Sequence, residues 1–135
     1  MGEMKLMLVD DEKRFLVTME KLATRKGFRV ETAGSGMEAL EKLKSHRIHV
    51  VVLDACMPGM DGIATLREIK RRHPLVEVIM LTGHATVEAA IDGLKSGATD
   101  FLIKPVDIDD LLVKAEEAFL KRQALDKKIR VAQLG

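Results

Sequence analysis

Acidic, hydroxyl and ammonium side chains come directly at the ends of the predicted strands of this chain. They are Asp10, Asp11, Asp54, Thr82 and Lys104. Ligands bind beyond the carboxyl ends of the strands in an open parallel α/β sheet, so these side chains are expected to share one crevice. Carboxylate oxygens suit a hard divalent cation, and a hydroxyl with an ammonium suits a phosphoryl group. The spacing therefore predicts metal-assisted phosphoryl chemistry.

Each of these residues also has an ordinary structural explanation. An aspartate after a strand can cap the next helix, which would account for Asp10 or Asp11 singly, and for Asp54. Thr82 is a common strand residue, and Lys104 is of a type that usually lies in solvent. Two adjacent acids are harder to explain as caps, because their mutual repulsion needs an opposing charge. Their combination at the ends of four strands favours the functional interpretation.

The elements that must position these residues alternate between short apolar strands and amphipathic helices, five times over. The third strand is almost continuously apolar, which indicates burial on both faces of a parallel sheet. Gly27 and Gly97 stand where helices should end. The pattern predicts an α/β fold, (βα)5, with a doubly wound five-stranded parallel sheet. The strands are predicted at Lys5–Asp10, Phe28–Thr32, Ile48–Asp54, Val78–Thr82 and Asp100–Ile103. The apolar stripe of the fourth helix comprises Val87, Ala90, Ile91 and Leu94.

The last helix is predicted to start after Pro105, with Asp107 as its N-cap, and to be unusually long. Its apolar stripe keeps a three-four spacing, with Arg122 as an interruption. The stripe consists of Ile108, Leu111, Ala115, Ala118, Leu125, Ile129 and Ala132. Residues 1–121 would form one domain. Residues 122–135 would be either a frayed polar tail or a helical linker, which pairs with another chain or leads toward an absent output domain.

Composition narrows the classes of protein. The 135 residues fit one domain, and 47% hydrophobic with 32% charged residues is ordinary for a globular protein. A net charge of +1 supplies no positive field to attract nucleic acid. A single cysteine excludes an intrachain disulfide and is compatible with a reducing cytoplasm. The apolar run Leu6–Val9 is too short for a signal peptide or a membrane span. We expect a cytoplasmic protein without direct contacts to nucleic acid or membrane.

Four short motifs together resemble the receiver domain of bacterial two-component response regulators. They are Asp10-Asp11, Leu53-Asp54 with Met57-Pro58-Gly59-Met60-Asp61-Gly62, Thr82-Gly83 and Lys104-Pro105. The resemblance covers roughly residues 5–120 and implies a flavodoxin-like sheet with strand order 2-1-3-4-5. The segment 81–86, with Gly97-Ala98, is most similar to receivers of enhancer-binding, ATPase-type regulators.

The resemblance implies that Asp54 accepts a phosphoryl group from a phosphohistidine of a sensor histidine kinase or phosphotransfer protein. Lys104 and Thr82 would bind the phosphoryl oxygens. Beyond this self-catalysed phosphotransfer and its own dephosphorylation, the chain would not be an enzyme. The cofactor would be Mg²⁺ or Mn²⁺. Its implied ligands are Asp11 and Asp54 directly, the Cys56 main-chain carbonyl, and Asp10 through water.

Phosphorylation would act as a conformational switch. The resemblance implies that Thr82 moves toward the phosphoryl group and that Phe101 turns into the vacated space, which changes the face of helix 4, strand 5 and helix 5. An output domain or effector protein would read that face, and a homodimer could form through it. The Lys104–Pro105 peptide bond would be cis.

Two positions are expected to tune the lifetime of the phosphorylated state. Cys56 lies two residues after Asp54, and His84 lies two residues after Thr82. In receivers these side chains flank the path of the hydrolytic water. Because Cys56 carries neither an amide nor a charge to orient water, we expect slow dephosphorylation. The alternative is a loop cysteine without a kinetic role.

Three other functions compete with the receiver interpretation. A haloacid-dehalogenase-type phosphatase also uses a nucleophilic aspartate with Mg²⁺, but needs a second aspartate where Cys56 stands. A flavin-binding flavodoxin-like module needs a Ser/Thr-rich loop where Asp10, Asp11 and Glu12 would repel phosphate. A receiver fold that works as a phosphorylation-independent interaction module would not need all five site residues.

Overall fold

The computed structural model describes residues 3–57, 61–83 and 87–134, in which strands and helices alternate along the chain. The strands are β1 (Lys5–Val9), β2 (Arg29–Ala33), β3 (Val50–Asp54), β4 (Glu77–Thr82) and β5 (Asp100–Ile103). The helices are α1 (Lys13–Arg25), α2 (Gly36–Ser45), α3 (Gly62–Arg72), α4 (Val87–Lys95) and α5 (Ile108–Leu134). The predicted (βα)5 order is confirmed.

All strand pairs are parallel, and the sheet order is β2-β1-β3-β4-β5. The predicted order 2-1-3-4-5 is therefore confirmed. All five residues of β3 are buried, as its continuous apolar sequence predicts for a strand covered on both faces. Because the order reverses between β1 and β3, the crevice for ligands lies beyond the carboxyl ends of these two strands.

The core consists of two apolar clusters, one on each face of the sheet. Alternate residues of a strand point to opposite faces, so Leu6 and Leu8 join the cluster beneath α1 and α5, whereas Met7 and Val9 join the cluster beneath α2 and α3. All four are at most 1% exposed. The central strands are thereby packed between two buried apolar layers, which fix the positions of the residues at their ends.

Local signals set the ends of several helices. Ser35 caps α2 by accepting from Glu38 N at 3.1 Å, and Asp61 caps α3 by accepting from Ala64 N at 2.7 Å. Gly27 and Gly97 have φ of +89° and +108°, which is the left-handed conformation expected just after a helix. These two predicted helix ends are confirmed.

Two residues of the apolar stripe predicted for α4 lie largely at the surface. Ile91 and Leu94 are 43% and 44% exposed, respectively. The helix instead approaches the sheet through Gly93, where a Cβ atom would lie 3.2 Å from Met80 Cγ. The small residue brings the helix backbone close to the sheet, so two larger apolar side chains of α4 remain at the surface.

The last helix runs without interruption from Ile108 to Leu134. At about 1.5 Å per residue its 27 residues extend about 40 Å, so it continues well past the sheet. Arg122 Nη1 lies 3.3 Å from Glu77 Oε1 at the start of β4, and Arg122 Nε lies 3.3 Å from Asp126 Oδ1. Segment 122–134 is part of this helix. Among the described residues, no helix has the length and apolar character needed to cross a membrane.

Candidate functional site at the carboxyl ends of the strands

The strand register brings the predicted site residues to one edge of the sheet. Asp54 pairs with Leu81 across β3 and β4, and Thr82 pairs with Ile103 across β4 and β5. Lys104 N donates to Thr82 O at 2.8 Å, which continues the ladder one residue beyond β5. Val9 pairs with Leu53 across β1 and β3, so the carboxyl ends of β1, β3, β4 and β5 meet at one edge of the sheet, as the sequence predicts.

Three carboxylates form the centre of the site. One oxygen each from Asp10, Asp11 and Asp54 lies within 4.8 Å of the others. Asp10 is 1% exposed and Asp54 is 5% exposed, whereas Asp11 reaches solvent. Asp10 Oδ1 accepts from Glu12 N at 2.9 Å, and Glu12 is the N-cap position of α1, without a side-chain cap. Helix capping therefore does not account for the acid pair.

Asp54 is placed by a tight turn after β3. Its Oδ1 accepts from Cys56 N at 3.1 Å. Gly62 N donates to Ala55 O at 3.3 Å, and a Cβ at Gly62 would lie 2.5 Å from Asp54 O. Only glycine permits this close approach of the α3 N-terminus to the strand end. The loop sequence thus holds the backbone on both sides of the carboxylate.

The pKa of Asp54 is raised from 3.8 to about 6, mainly because the carboxyl is buried. The charges of Asp10 and Asp11 contribute to the rise, whereas the Cys56 N–H bond and the Lys104 charge partly oppose it. A pKa of about 6 lies below neutral pH, so the carboxylate is mostly ionised there. The residue is therefore available as a nucleophile or as a ligand for a cation.

Lys104 supplies the positive charge of the site. Its Nζ lies 2.7 Å from Asp10 Oδ2 and 3.0 Å from Glu12 Oε1. The same atom is 4.6 Å from the centroid of the Phe15 ring. Burial by itself lowers the pKa of Lys104, but the bonds to the two acids outweigh it, and the net pKa is raised. The Lys104–Pro105 peptide bond is cis, as expected from the sequence.

Glu12 and Phe15 are site residues that the sequence analysis did not identify. Glu12 directly follows the acid pair, and Phe15 lies in the first turn of α1. The only sequence signal was their position at the start of a helix whose first turn borders the crevice. The apolar side chain of Phe15 also serves the core, because its ring is half-buried against the cluster under α1 and α5.

The predicted switch and tuning residues lie around this centre. Thr82 is buried at the end of β4. Phe101 pairs in register with Met80. Its ring is half-buried against the apolar cluster beneath α2 and α3. Cys56 is an exposed free thiol. His84 lies outside the described residues, as do residues 58–60 of the loop motif.

The donor set fits a hard divalent cation. Three carboxylates converge without a described histidine or a cysteine sulfur among them, and oxygen ligands are those that Mg²⁺ and Mn²⁺ prefer. Two of the three acids are buried, so their mutual repulsion is costly unless a cation compensates for it. Lys104 supplies one such charge, and a metal ion would supply the remainder.

Comparisons with known proteins agree with this geometry. The family described as "Response regulator receiver domain" matches residues 6–116. Transcriptional regulatory protein ZraR of Escherichia coli K12 is 38% identical over 133 residues, which cover 96% of this chain and 30% of the relative. DNA-binding transcriptional regulator NtrC of Escherichia coli K12 is 40% identical over 111 residues, which cover 82% of this chain and 24% of the relative. These relatives confirm the predicted likeness to receivers of enhancer-binding, ATPase-type regulators.

Solved structures show the same fold. A CheY-like receiver domain protein from Methanospirillum hungatei superposes with a TM-score of 0.84 and 28% identity, over 90% of this chain and 97% of that chain. NtrX from Brucella abortus superposes with a TM-score of 0.85 and 32% identity, over 97% of this chain and 29% of that chain.

The chain spans less than a third of the ZraR, NtrC and NtrX chains that it matches. The family match covers the strand ends Asp10, Asp54, Thr82 and Lys104, which carry the site. The phosphatase and flavin-binding interpretations are therefore set aside. The chain belongs to the response regulator receiver domain family.

Proposed function

We propose that this chain is a phosphorylation-dependent signalling switch in which Asp54 accepts a phosphoryl group. The observation that carries the proposal is the convergence of three carboxylates, within 4.8 Å of one another, beside the Lys104 ammonium. A nucleophilic carboxylate, oxygen ligands for a cation and a fixed positive charge are the components that phosphoryl transfer requires. We place the switch in the cytoplasm.

The phosphodonor is a phosphohistidine of a sensor histidine kinase or phosphotransfer protein. An Asp54 carboxylate oxygen attacks the phosphorus, and a P–O bond forms as the P–N bond to the donor imidazole breaks. The electron pair of the broken bond stays on the imidazole nitrogen, which takes a proton from solvent. Asp54 needs no general base, because it is mostly ionised at pH 7 with its pKa of about 6.

The proposed ligands of Mg²⁺ or Mn²⁺ are Asp11 and Asp54, the Cys56 main-chain carbonyl, and Asp10 through water. When bound, the cation neutralises charge on the phosphoryl oxygens and on the acids. Lys104 and Thr82 bind the remaining phosphoryl oxygens. In this proposal the chain catalyses only its own phosphorylation and dephosphorylation and acts on no other substrate.

The output of the switch is a change at the face of α4, β5 and α5. The proposed trigger is the movement of Thr82 toward the phosphoryl group, with Phe101 turning into the space that Thr82 leaves. This face carries exposed apolar side chains, which favour protein contacts. They are Ile91, Leu94, Ile103 and Val113, each between 43% and 53% exposed.

The proposed partners of that face are a second copy of the chain and an output domain or effector. The ZraR, NtrC and NtrX chains are more than three times as long as the portion matched here, and α5 projects past the sheet to Leu134. We propose that residues 122–135 extend the last helix as a linker toward an output domain. Direct nucleic-acid contacts are assigned to the output domain and not to this chain.

The test is the intact mass of the protein after incubation with acetyl phosphate and Mg²⁺. We expect one added phosphoryl group in the wild type, none in Asp54→Asn, and none when a chelator removes the metal. Asp61→Asn is the matched control, because Asp61 lies in the same loop and asparagine still caps α3. An adduct that persists in Asp54→Asn would assign another acceptor. If a phosphohistidine donor and acetyl phosphate both fail with the wild type, the chain is a phosphorylation-independent module.

A further inference from the structure

The ammonium of Lys104 has one neutral partner besides its two acidic ones. The face of the Phe15 ring lies 4.6 Å from Nζ, and the lysine side chain is only 17% exposed. A cation over an aromatic face is attracted more strongly when water is excluded. We propose that Phe15 is a positioning residue for phosphoryl transfer, whose ring keeps the Lys104 ammonium at the site without competing for metal or phosphoryl group. This inference rests on the proposed function.

The two carboxylates cannot fill this role alone. An ammonium has three N–H donors. In this structure Glu12 accepts a hydrogen bond from Lys104, and Asp10 forms an ion pair with the same ammonium at 2.7 Å. Asp10 is also a proposed metal ligand, so a bound cation weakens its attraction for Lys104. Glu12 occupies a donor that a phosphoryl oxygen needs. The Phe15 ring attracts the charge as a whole, so it continues to hold Lys104 while the donors exchange partners.

The ring is itself held by the core. Phe15 lies in the first turn of α1, two residues after the helix begins at Lys13. Its side chain packs against the apolar cluster between the sheet and α1 and α5. A ring anchored in this cluster has little freedom to move away when the charges in the crevice change. The contact therefore connects the rigid core to the Lys104 ammonium at the centre of the site.

Three variants distinguish the attraction between the Phe15 ring and the Lys104 ammonium from the packing of the ring in the core. Phe15→Leu keeps an apolar side chain but removes the ring, and Phe15→Tyr keeps the ring. Phe119→Leu is the matched control, because Phe119 packs on the same cluster and its ring contacts His49 and not Lys104. With acetyl phosphate and saturating Mg²⁺, we expect phosphorylation of Phe15→Leu to be slowed roughly three- to tenfold. Phe15→Tyr and Phe119→Leu should remain within twofold of the wild type.

A second measurement needs neither metal nor phosphodonor. The ε-methylene protons of Lys104 should show an upfield ring-current shift in the NMR spectrum of the metal-free wild type. The shift should persist in Phe15→Tyr and Phe119→Leu and disappear in Phe15→Leu. Urea unfolding of all four proteins accounts for lost stability, since both leucine variants remove a ring from one cluster.

The outcomes decide between the alternatives. Slowed phosphorylation in Phe15→Leu alone, together with loss of the ring-current shift, supports the positioning role. Equal slowing in Phe15→Tyr or in Phe119→Leu overturns it, because the effect would then follow packing. Unchanged phosphorylation in Phe15→Leu also overturns it. If the wild type accepts no phosphoryl group, the proposed function fails first, and the intact-mass experiment shows this separately.

Discussion

Lys104 and Asp10 form an ion pair of 2.7 Å between the end of β5 and the residue after β1. The aspartate is 1% exposed, so its charge is compensated inside the protein and not by water. Because Asp10 is also one of the three clustered carboxylates, the lysine and a bound metal ion would compete for the same acid. The metal affinity of the domain should depend on that competition.

Substitution of Lys104 should strengthen metal binding while it weakens phosphorylation. In Lys104→Gln the three acids lose their internal cation, and we expect Mg²⁺ to bind roughly tenfold more tightly, about 1.4 kcal/mol. Titration of Mg²⁺ followed by amide NMR shifts measures the affinity. Lys114→Gln is the control, because it removes the same charge from a lysine that pairs with Asp100 at 2.8 Å instead. Equal affinities in the two variants would contradict the competition.

Asp54→Asn should stabilise the metal-free protein at high pH. The folded pKa of about 6 lies above the unfolded value of 3.8, so the folded state keeps a proton that the unfolded state has lost between these values. The stability of the wild type relative to Asp54→Asn therefore falls as pH rises through this window, and the full cost remains above pH 6. Because the neighbouring Asp11 reaches solvent, we expect a difference of only about 1 kcal/mol at pH 8.

Urea unfolding with a chelator present, at pH 4 and at pH 8, measures this difference. The advantage of Asp54→Asn should be present at pH 8 and much smaller at pH 4, where the folded wild-type carboxyl is mostly protonated and the unfolded one is only about half ionised. Added Mg²⁺ should stabilise the wild type more than the variant. A pH-independent difference would show that the carboxylate carries no burial penalty.

Cys56→Asn should shorten the lifetime of phosphorylated Asp54. The Cys56 side chain is exposed beside the site, whereas the bond to Asp54 comes from its backbone N–H. The substitution therefore leaves the carboxylate in place and adds an amide that can orient water. Phosphate release from purified phosphoprotein should be severalfold faster in Cys56→Asn, with Cys56→Ser as the size-matched control. Equal release rates for Cys56→Asn and wild type would mean that the cysteine has no kinetic role.

Removal of Arg122 should destabilise the domain although it lies beyond the buried apolar residues of α5, the last of which is Ala118. Its guanidinium contacts Glu77 at 3.3 Å, and the two side chains are 19% and 15% exposed. Arg122→Gln leaves a largely buried carboxylate without its charged partner, and we expect a loss of about 2 kcal/mol. Urea unfolding followed by circular dichroism measures it.

Arg130→Gln provides the matched control on the same helix, since Arg130 is exposed and has no ion pair within the described ranges 3–57, 61–83 and 87–134. The double variant Glu77→Gln/Arg122→Gln should recover part of the loss, because neither charge is then left alone. If Arg122→Gln and Arg130→Gln unfold alike, the ion pair contributes nothing measurable.

Phe101 should report phosphorylation by a change of environment. The chain contains four phenylalanines, so labelling with fluorophenylalanine gives four ¹⁹F resonances that single Phe→Leu variants assign. After addition of acetyl phosphate and Mg²⁺ we expect the Phe101 resonance to shift, because its half-buried ring turns into the space near Thr82. Phe28 and Phe119 should change little. In Asp54→Asn all four resonances should keep their positions. A shift of the Phe101 resonance in this variant would show that the ring moves without phosphorylation of Asp54.

The strand pattern by itself determined much of this molecule. A run such as Val50–Leu53, without a polar break, has few alternatives to a central parallel strand. The carboxyl ends of parallel strands lie at one edge of the sheet. The sequence alone therefore predicts that Asp54 and Lys104 are close together. The left-handed glycines at 27 and 97 were equally predictable, because helix ends demand that backbone conformation.

Contacts between distant elements were decided only by the tertiary structure. From the sequence, Phe15 is an ordinary apolar residue of α1, and Arg122 is a charged interruption in the apolar stripe of α5. Helical periodicity specifies which face of a helix is apolar, but not which residues of another element meet its first turn or its extension. The exposure of Ile91 shows the same limit, because the close approach of Gly93 to Met80 sets the position of α4. Distances between residues of different elements depend on how whole helices and strands pack. The residue pattern within one helix or strand does not specify them.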